Sequence, residues 1–234
     1  MLAEKYFDGE PLKAAEAIGR DDTAELRKLI QGGVNPNAEG KDGETLLAFA
    51  VRIDKKGALR ALLQLGANPS LRSSTGWSAM AAAAEATDGD LLRILLDSGG
   101  DPNLRDNVGH PILFSSTPTN WLEPDAAADP ARWVKLRLLL DKGADINATD
   151  RAGTGLAVYL AQNGNWEQVA YLIERGADFL HTDEAHRNVP MLVQKSRTNP
   201  ANLGFQKVKR LLIERGVKFP VPVPPPTHPA PKAQ

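Results

Sequence analysis

The chain has 234 residues, with 28 basic against 29 acidic side chains and no cysteine. Near-balanced charge speaks against a general phosphate-binding surface, and so against nucleic acid as the partner. The lack of thiols excludes a disulfide framework and a thiolate metal site. No stretch approaches the roughly 18 apolar residues that a membrane-spanning helix needs, and Glu4, Asp8 and Glu10 interrupt the first twenty residues, so no secretory leader is expected there.

In chain order, Met1 to Ile30 carries two short helical patterns, with Leu12, Ala15 and Ile18 and then Ala24, Leu26, Leu29 and Ile30 at helical spacing. Asp21, Asp22 and Thr23 suit the N-cap and first turn of the second, where oxygen atoms meet unpaired N–H groups. A phrase then begins to recur: a Leu-Leu or Leu-Ile pair followed by a Gly-Ala-Asn/Asp-like loop. Its loop glycines are Gly33, Gly66, Gly99, Gly143, Gly176 and Gly216, at spacings of 33, 33, 44, 33 and 40 residues. Gly66 suits a left-handed position just past a helix end, and the next unit repeats the pattern. A second set, Gly43, Gly76, Gly109 and Gly153, follows the loop glycines by ten residues and opens the next unit.

Within a unit, a first helix rich in small residues, such as Ala79 to Ala84, precedes a second one such as Leu91 to Leu96. The unit from Gly109 to Gly143 is 11 residues longer than the regular ones, and the addition falls in Ser115 to Arg132. Pro118, Pro124 and Pro130 argue against a continuous helix through it. The last unit has His186 where the marker glycine belongs and a 7-residue expansion within about Lys195 to Phe205. Phe219 to Pro226 is too proline-rich for a helix or a central strand and reads as polyproline II, a spacer, or a cap laying Phe219 and Val221 on the last repeat.

The period near 33, the Asp-x-x-Gly marker, the small-residue helix and the Leu-Leu-x-x-Gly-Ala-Asp ending resemble the ankyrin repeat. The best copy is Leu139 to Asn147, and the resemblance covers roughly Asp21 to Phe219. It implies an all-α solenoid of helix pairs with finger loops and two inter-helix insertions. Residues 1–40 form an N-terminal cap, about 41–185 the middle repeats, about 186–219 the C-terminal repeat, and 220–234 a proline-rich tail. It also implies a protein-binding module that uses fingertips and first helices, and no cofactor.

Carried over by register, the family's variable positions include Glu44, Trp77, Val108, His110, Arg151 and Thr154. Trp77 is read first as an interface anchor and second as a cover for a neighbouring finger. Trp133 and Trp166 each stand ten residues before a loop glycine, at the starts of successive second helices, with Trp121 in the insertion beside them. Successive packed helices lie about 8 to 10 Å apart, so these indoles are expected to be neighbours. Two readings stand: a satellite core closed over by the insertion, which is preferred, or a partner-binding aromatic patch.

Catalytic signals are poor. Asp178, His181, Asp183 and His186 share one finger, but their spacing matches no recognised zinc or calcium loop, and no nucleophile elbow or phosphate loop occurs. The leading expectation is a non-enzymatic binding module, most specifically a dedicated inhibitor such as an immunity protein that occludes one secreted bacterial enzyme: a phospholipase, nuclease or peptidoglycan hydrolase. The alternatives are a general scaffold, a host-directed effector or a metal-binding enzyme. A cytoplasmic location is expected for the sequence as it stands, and the periplasm if an export signal has been lost from it.

Overall fold

The computed structural model describes residues 2–86, 89–117 and 130–222. These form thirteen α-helices, with no strand among the described residues. The chain divides into two compact units, residues 1–145 and 146–234.

The first unit opens with α1 (Leu2–Tyr6), α2 (Gly9–Arg20) and α3 (Thr23–Gln31). Asp22 is the N-cap of α3, its Oδ1 accepting from the Glu25 N–H at 3.0 Å. Helix α1 is an addition to the two helical patterns seen in the sequence. Five residues are too short to show a period, and aromatic packing holds the segment down. Tyr6 and Phe7 meet Phe49 at ring separations of 5.9 and 5.5 Å.

Helix pairs then follow: α4 (Leu46–Arg52) with α5 (Lys56–Gln64), α6 (Ala79–Glu85) with α7 (Asp90–Asp97), and α8 (Ile112–Ser115) with α9 (Pro130–Asp141). First helices pack on first helices, in the series α2, α4, α6 and α8, and second helices pack likewise through α3, α5 and α7. Ala79, Ala81, Ala83 and Ala84 are buried, and such short side chains allow close approach within the first row. The second row supplies larger core groups, including Leu26, Leu59, Leu62, Leu92 and Leu95. The greater part of the first insertion, with Trp121, lies outside the described residues.

Every second helix ends in the same way. The loop glycines have φ between 87° and 113°, and the residue after each donates back five positions, as Ala67 N–H does to the Leu62 carbonyl at 2.9 Å. The fingers are tied together by short polar side chains. Asn37 Oδ1 accepts from the Asn68 N–H at 2.7 Å, Ser70 Oγ from Asp101 N–H at 2.8 Å, and Asn103 Oδ1 from Asp145 N–H at 2.7 Å.

The second unit contains α10 (Leu156–Gln162), α11 (Trp166–Glu174), α12 (Val189–Lys195) and α13 (Leu203–Glu214). It repeats the finger tie, with Asn147 Oδ1 accepting from the Asp178 N–H at 2.8 Å. Helix α13 sits very close to α11: a Cβ at Gly204 would come within 2.8 Å of the Glu167 nitrogen. The tail begins as a tethered segment, since Gln194 accepts from the Val221 N–H at 2.6 Å and donates to the Val221 carbonyl at 3.3 Å. Residues 223–234, most of the proline-rich tail, lie outside the described residues.

Candidate partner-binding groove

Glu44, Trp77, His110 and Thr154 occupy one register position, immediately before the N-cap position of a first helix. Thr45 and Ser78 cap α4 and α6, their hydroxyls accepting from the Ala48 and Ala81 N–H groups at 3.1 Å. The capping residues take extended backbone, and the residues just before them, Glu44 and Trp77, line one groove at the entrance to the two helices.

Between α4 and α6 lies an open groove of about 280 Å³, lined by Glu44, Ala48, Arg52, Trp77, Ala82 and Glu85 among others. Its origin is the small-residue composition of α6: alanines leave a depression that the half-buried Trp77 closes at one end. Large flat indole and shallow apolar floor together make an anchoring surface of the kind that protein interfaces favour.

Glu44 plays a different part from the one its register implies. It is 6% exposed, and Arg52 grips its carboxylate with two bonds, from Nε at 3.2 Å and from Nη2 at 2.6 Å. The guanidinium, which also lies 5.4 Å from the Tyr6 ring, is held more firmly protonated by those bonds. Glu44 is therefore part of the groove wall and not an exposed carboxylate reaching for a partner. At the opposite rim, loss of hydration pushes the Glu85 carboxyl above its usual range, and the charge of Asp106 adds to the effect while Lys135 opposes it. Lys135 is itself buried, with Nζ donating to the Ala84 and Ala86 carbonyls at 2.6 Å each, which closes the C-terminal end of α6.

The other register positions differ in exposure. Val108 is exposed at its fingertip, and His110 is exposed with Nδ1 3.6 Å from Asp106. The buried Asp106 carboxylate shapes that finger by accepting from the Val108 and His110 N–H groups at 2.9 and 2.8 Å. Arg151 is exposed. Thr154 is 4% exposed, with its N–H held by Asp150 Oδ1 at 2.8 Å, so it is a turn residue and offers no contact surface.

The tryptophans differ in their surroundings. Trp121 lies outside the described residues. Trp133 is half-buried, with the Arg137 guanidinium 5.2 Å from its ring. Trp166 is 2% exposed, its Nε1–H donates to Thr198 Oγ1 at 2.9 Å, and Phe205 packs edge-on at 5.0 Å. A partner-binding role for Trp166 is corrected accordingly: it is a core residue of the second unit. Thr198 and Phe205, both brought in by the second expansion, cover it. Thr198 was not legible as a contact, because it is 32 residues away in sequence.

In the last finger Asp178 accepts from the Leu180 and His181 N–H groups, His181 Nε2 lies 2.7 Å from the Gly153 carbonyl, and Asp183 is paired with Arg187. These acidic and imidazole groups are engaged with the protein itself. Among the described residues no cluster of three His, Asp or Glu side chains is arranged to hold a metal, and no helix is long and apolar enough to cross a membrane.

Residues 13–106 match the family model of ankyrin repeats, in three copies. The fold is similar to the crystal structure of EF0377, an ankyrin repeat protein, at 21% identity and a TM-score of 0.65 over 86% of this chain and 96% of that one. It is also similar to the ankyrin repeat domain of Bcl-3, a member of the IkappaB protein family, at 22% identity and a TM-score of 0.69 over 88% of this chain and 86% of that one. No curated protein matches the chain.

Proposed function

We propose, from the premise that this chain is built of ankyrin repeats, that it binds one protein partner through the groove between α4 and α6, with Trp77 as the anchor. The observation that carries this reading is the half-buried Trp77 indole beside an open groove of about 280 Å³ whose floor is alanine. An indole in that setting gains contact area with little further loss of rotamer freedom, the combination that makes tryptophan frequent among binding hot spots. Glu44 and Arg52 hold the groove's wall rigid, so little ordering cost falls on association.

The sharper form of the reading is a dedicated, non-enzymatic inhibitor. Two unit-specific expansions, of 11 and 7 residues, break an otherwise regular repeat. A general scaffold has no need of them, whereas a surface fitted to one partner does. An immunity protein that covers the active-site entrance of a secreted bacterial phospholipase, nuclease or peptidoglycan hydrolase would act in this way, by steric exclusion.

The test is affinity capture from the source's lysate and secreted fraction with wild-type and Trp77→Ala baits, followed by an activity assay of the captured protein. A single enzyme held by the wild type, released by Trp77→Ala and inhibited stoichiometrically supports the proposal. Many weak partners, equally retained by both baits, favour a general scaffold instead. Stoichiometric zinc that survives dialysis would point to a metal-dependent role.

A further inference from the structure

A second periodicity runs through the first unit. Arg27, Arg60, Arg93 and Arg137 each stand six residues before a loop glycine, on α3, α5, α7 and α9. Equivalent register places them on the same side of successive second helices, about 8 to 10 Å apart where those helices pack. Between α5 and α7 is an open cavity of about 590 Å³, with Arg60 and Arg93 on its walls and Leu63 and Ile94 in its floor.

Both carboxylates on the walls of this cavity are engaged. Asp90 is bound by Lys56 at 3.1 Å and by Arg93 at 3.0 Å, and Asp97 is bound by Lys142 at 2.7 Å. The lining thus pairs Arg60 and Arg93 with Asp90 and Asp97, and both carboxylates are already held by cations other than Arg60. Of the four stripe arginines, Arg27 is bonded to Gln64, Arg93 to Asp90, and Arg137 stacks on Trp133. Arg60 is exposed and has no hydrogen-bond or ion-pair partner among the described residues. The uncompensated cation is the one at the cavity.

We infer that this outer face binds an acidic, extended segment of a partner protein, with Arg60 receiving a carboxylate in the cavity between α5 and α7. A guanidinium fork matches a carboxylate with two parallel bonds, a fit that lysine lacks. A segment in the polyproline II conformation has three residues per turn and rises about 3.1 Å per residue, so acidic side chains at every third position share one face about 9 Å apart, close to the spacing of the stripe. The intervening side chains meet Leu63 and Ile94. Asp90 and Asp97 share the cavity lining with the two arginines and oppose a continuous phosphate chain, whereas a protein segment can carry its carboxylates only where an arginine stands.

The test uses the full chain, labelled with nitrogen-15, and follows the arginine Nε–H signals during titration with three probes. These are a flexible peptide with Glu at every third position, its Gln counterpart, and a short DNA duplex. The inference predicts that the Glu peptide shifts the Arg60 and Arg93 signals and the Gln peptide does not. Arg60→Gln is expected to weaken the Glu peptide about tenfold or more, the loss typical of a charge-assisted bond. Trp77→Ala leaves this binding unchanged, so the stripe and the groove succeed or fail separately. Static Arg60 signals, equal binding by Arg60→Gln, or tighter binding of the duplex would overturn it.

Discussion

Trp77 and Trp166 are both tryptophans placed by the repeat at the start of a helix, yet they end in opposite environments. Trp77 precedes α6 and borders an open groove, where the neighbouring side chains are alanines and a fixed Glu44–Arg52 pair. Trp166 begins α11 and is sealed by Thr198 and Phe205, which the second expansion delivers. The repeat sets where a side chain emerges along the helix pair. What covers it is decided by residues outside the repeat.

The contrast is broken most directly at Trp166. Trp166→Ala removes a fully packed indole and its bond to Thr198, and is expected to lower stability by about 3 to 5 kcal/mol, read by urea unfolding. Trp77→Ala is expected to cost about 1 kcal/mol or less in the same assay, since half-buried side chains leave smaller cavities. Comparable losses at the two sites would erase the distinction.

Asp183 sharpens the comparison within the second unit. Its side chain is inaccessible and receives the Arg187 N–H and Nε–H, each at 2.8 Å. Burial acts to raise its pKa, but the hydrogen bonds and charge of Arg187 prevail and hold it below the ordinary 3.8. A depressed carboxyl contributes stability that is present above its unfolded pKa and is lost as pH falls through the folded value. Asp183→Asn is therefore expected to cost about 2 kcal/mol at neutral pH, with the gap from wild type closing below pH 3.8 in acid unfolding.

Glu85 gives the smallest effect and the opposite sign. Its folded pKa lies above the ordinary 4.5, so the folded state binds the proton more tightly and stability falls as pH rises through that window. Glu85→Gln is expected to raise the melting temperature at neutral pH and to leave it unchanged well below pH 4.5. A rise of equal size at both pH values would show that the cause is packing and not charge.

Much of this architecture was legible in the sequence. The loop glycines were identified by spacing, and all six have positive φ. His186 shows that the turn belongs to the register as much as to glycine: it takes φ 56° at the marker position, its N–H bonded to the Asp183 carbonyl at 2.8 Å. Exposure was much less legible. Glu44 and Trp77 share a register position, but Arg52 reaches back over eight residues to bury the first, whereas the second stays half-buried. Helix α1 carried no period to detect, and Trp166 waited on a contact from Thr198. Local patterns fix elements, whereas long-range contacts choose which surfaces stay open.

The central claim is that Trp77 marks the binding surface while Trp166 is structural. Its most direct test is calorimetric titration of the captured partner against wild type, Trp77→Ala and Trp166→Phe, each confirmed as folded beforehand. The account predicts a loss of about 2 kcal/mol or more, roughly 30-fold in Kd, for Trp77→Ala and near-wild-type binding for Trp166→Phe. Unchanged affinity for Trp77→Ala, with loss confined to Trp166→Phe, would contradict it.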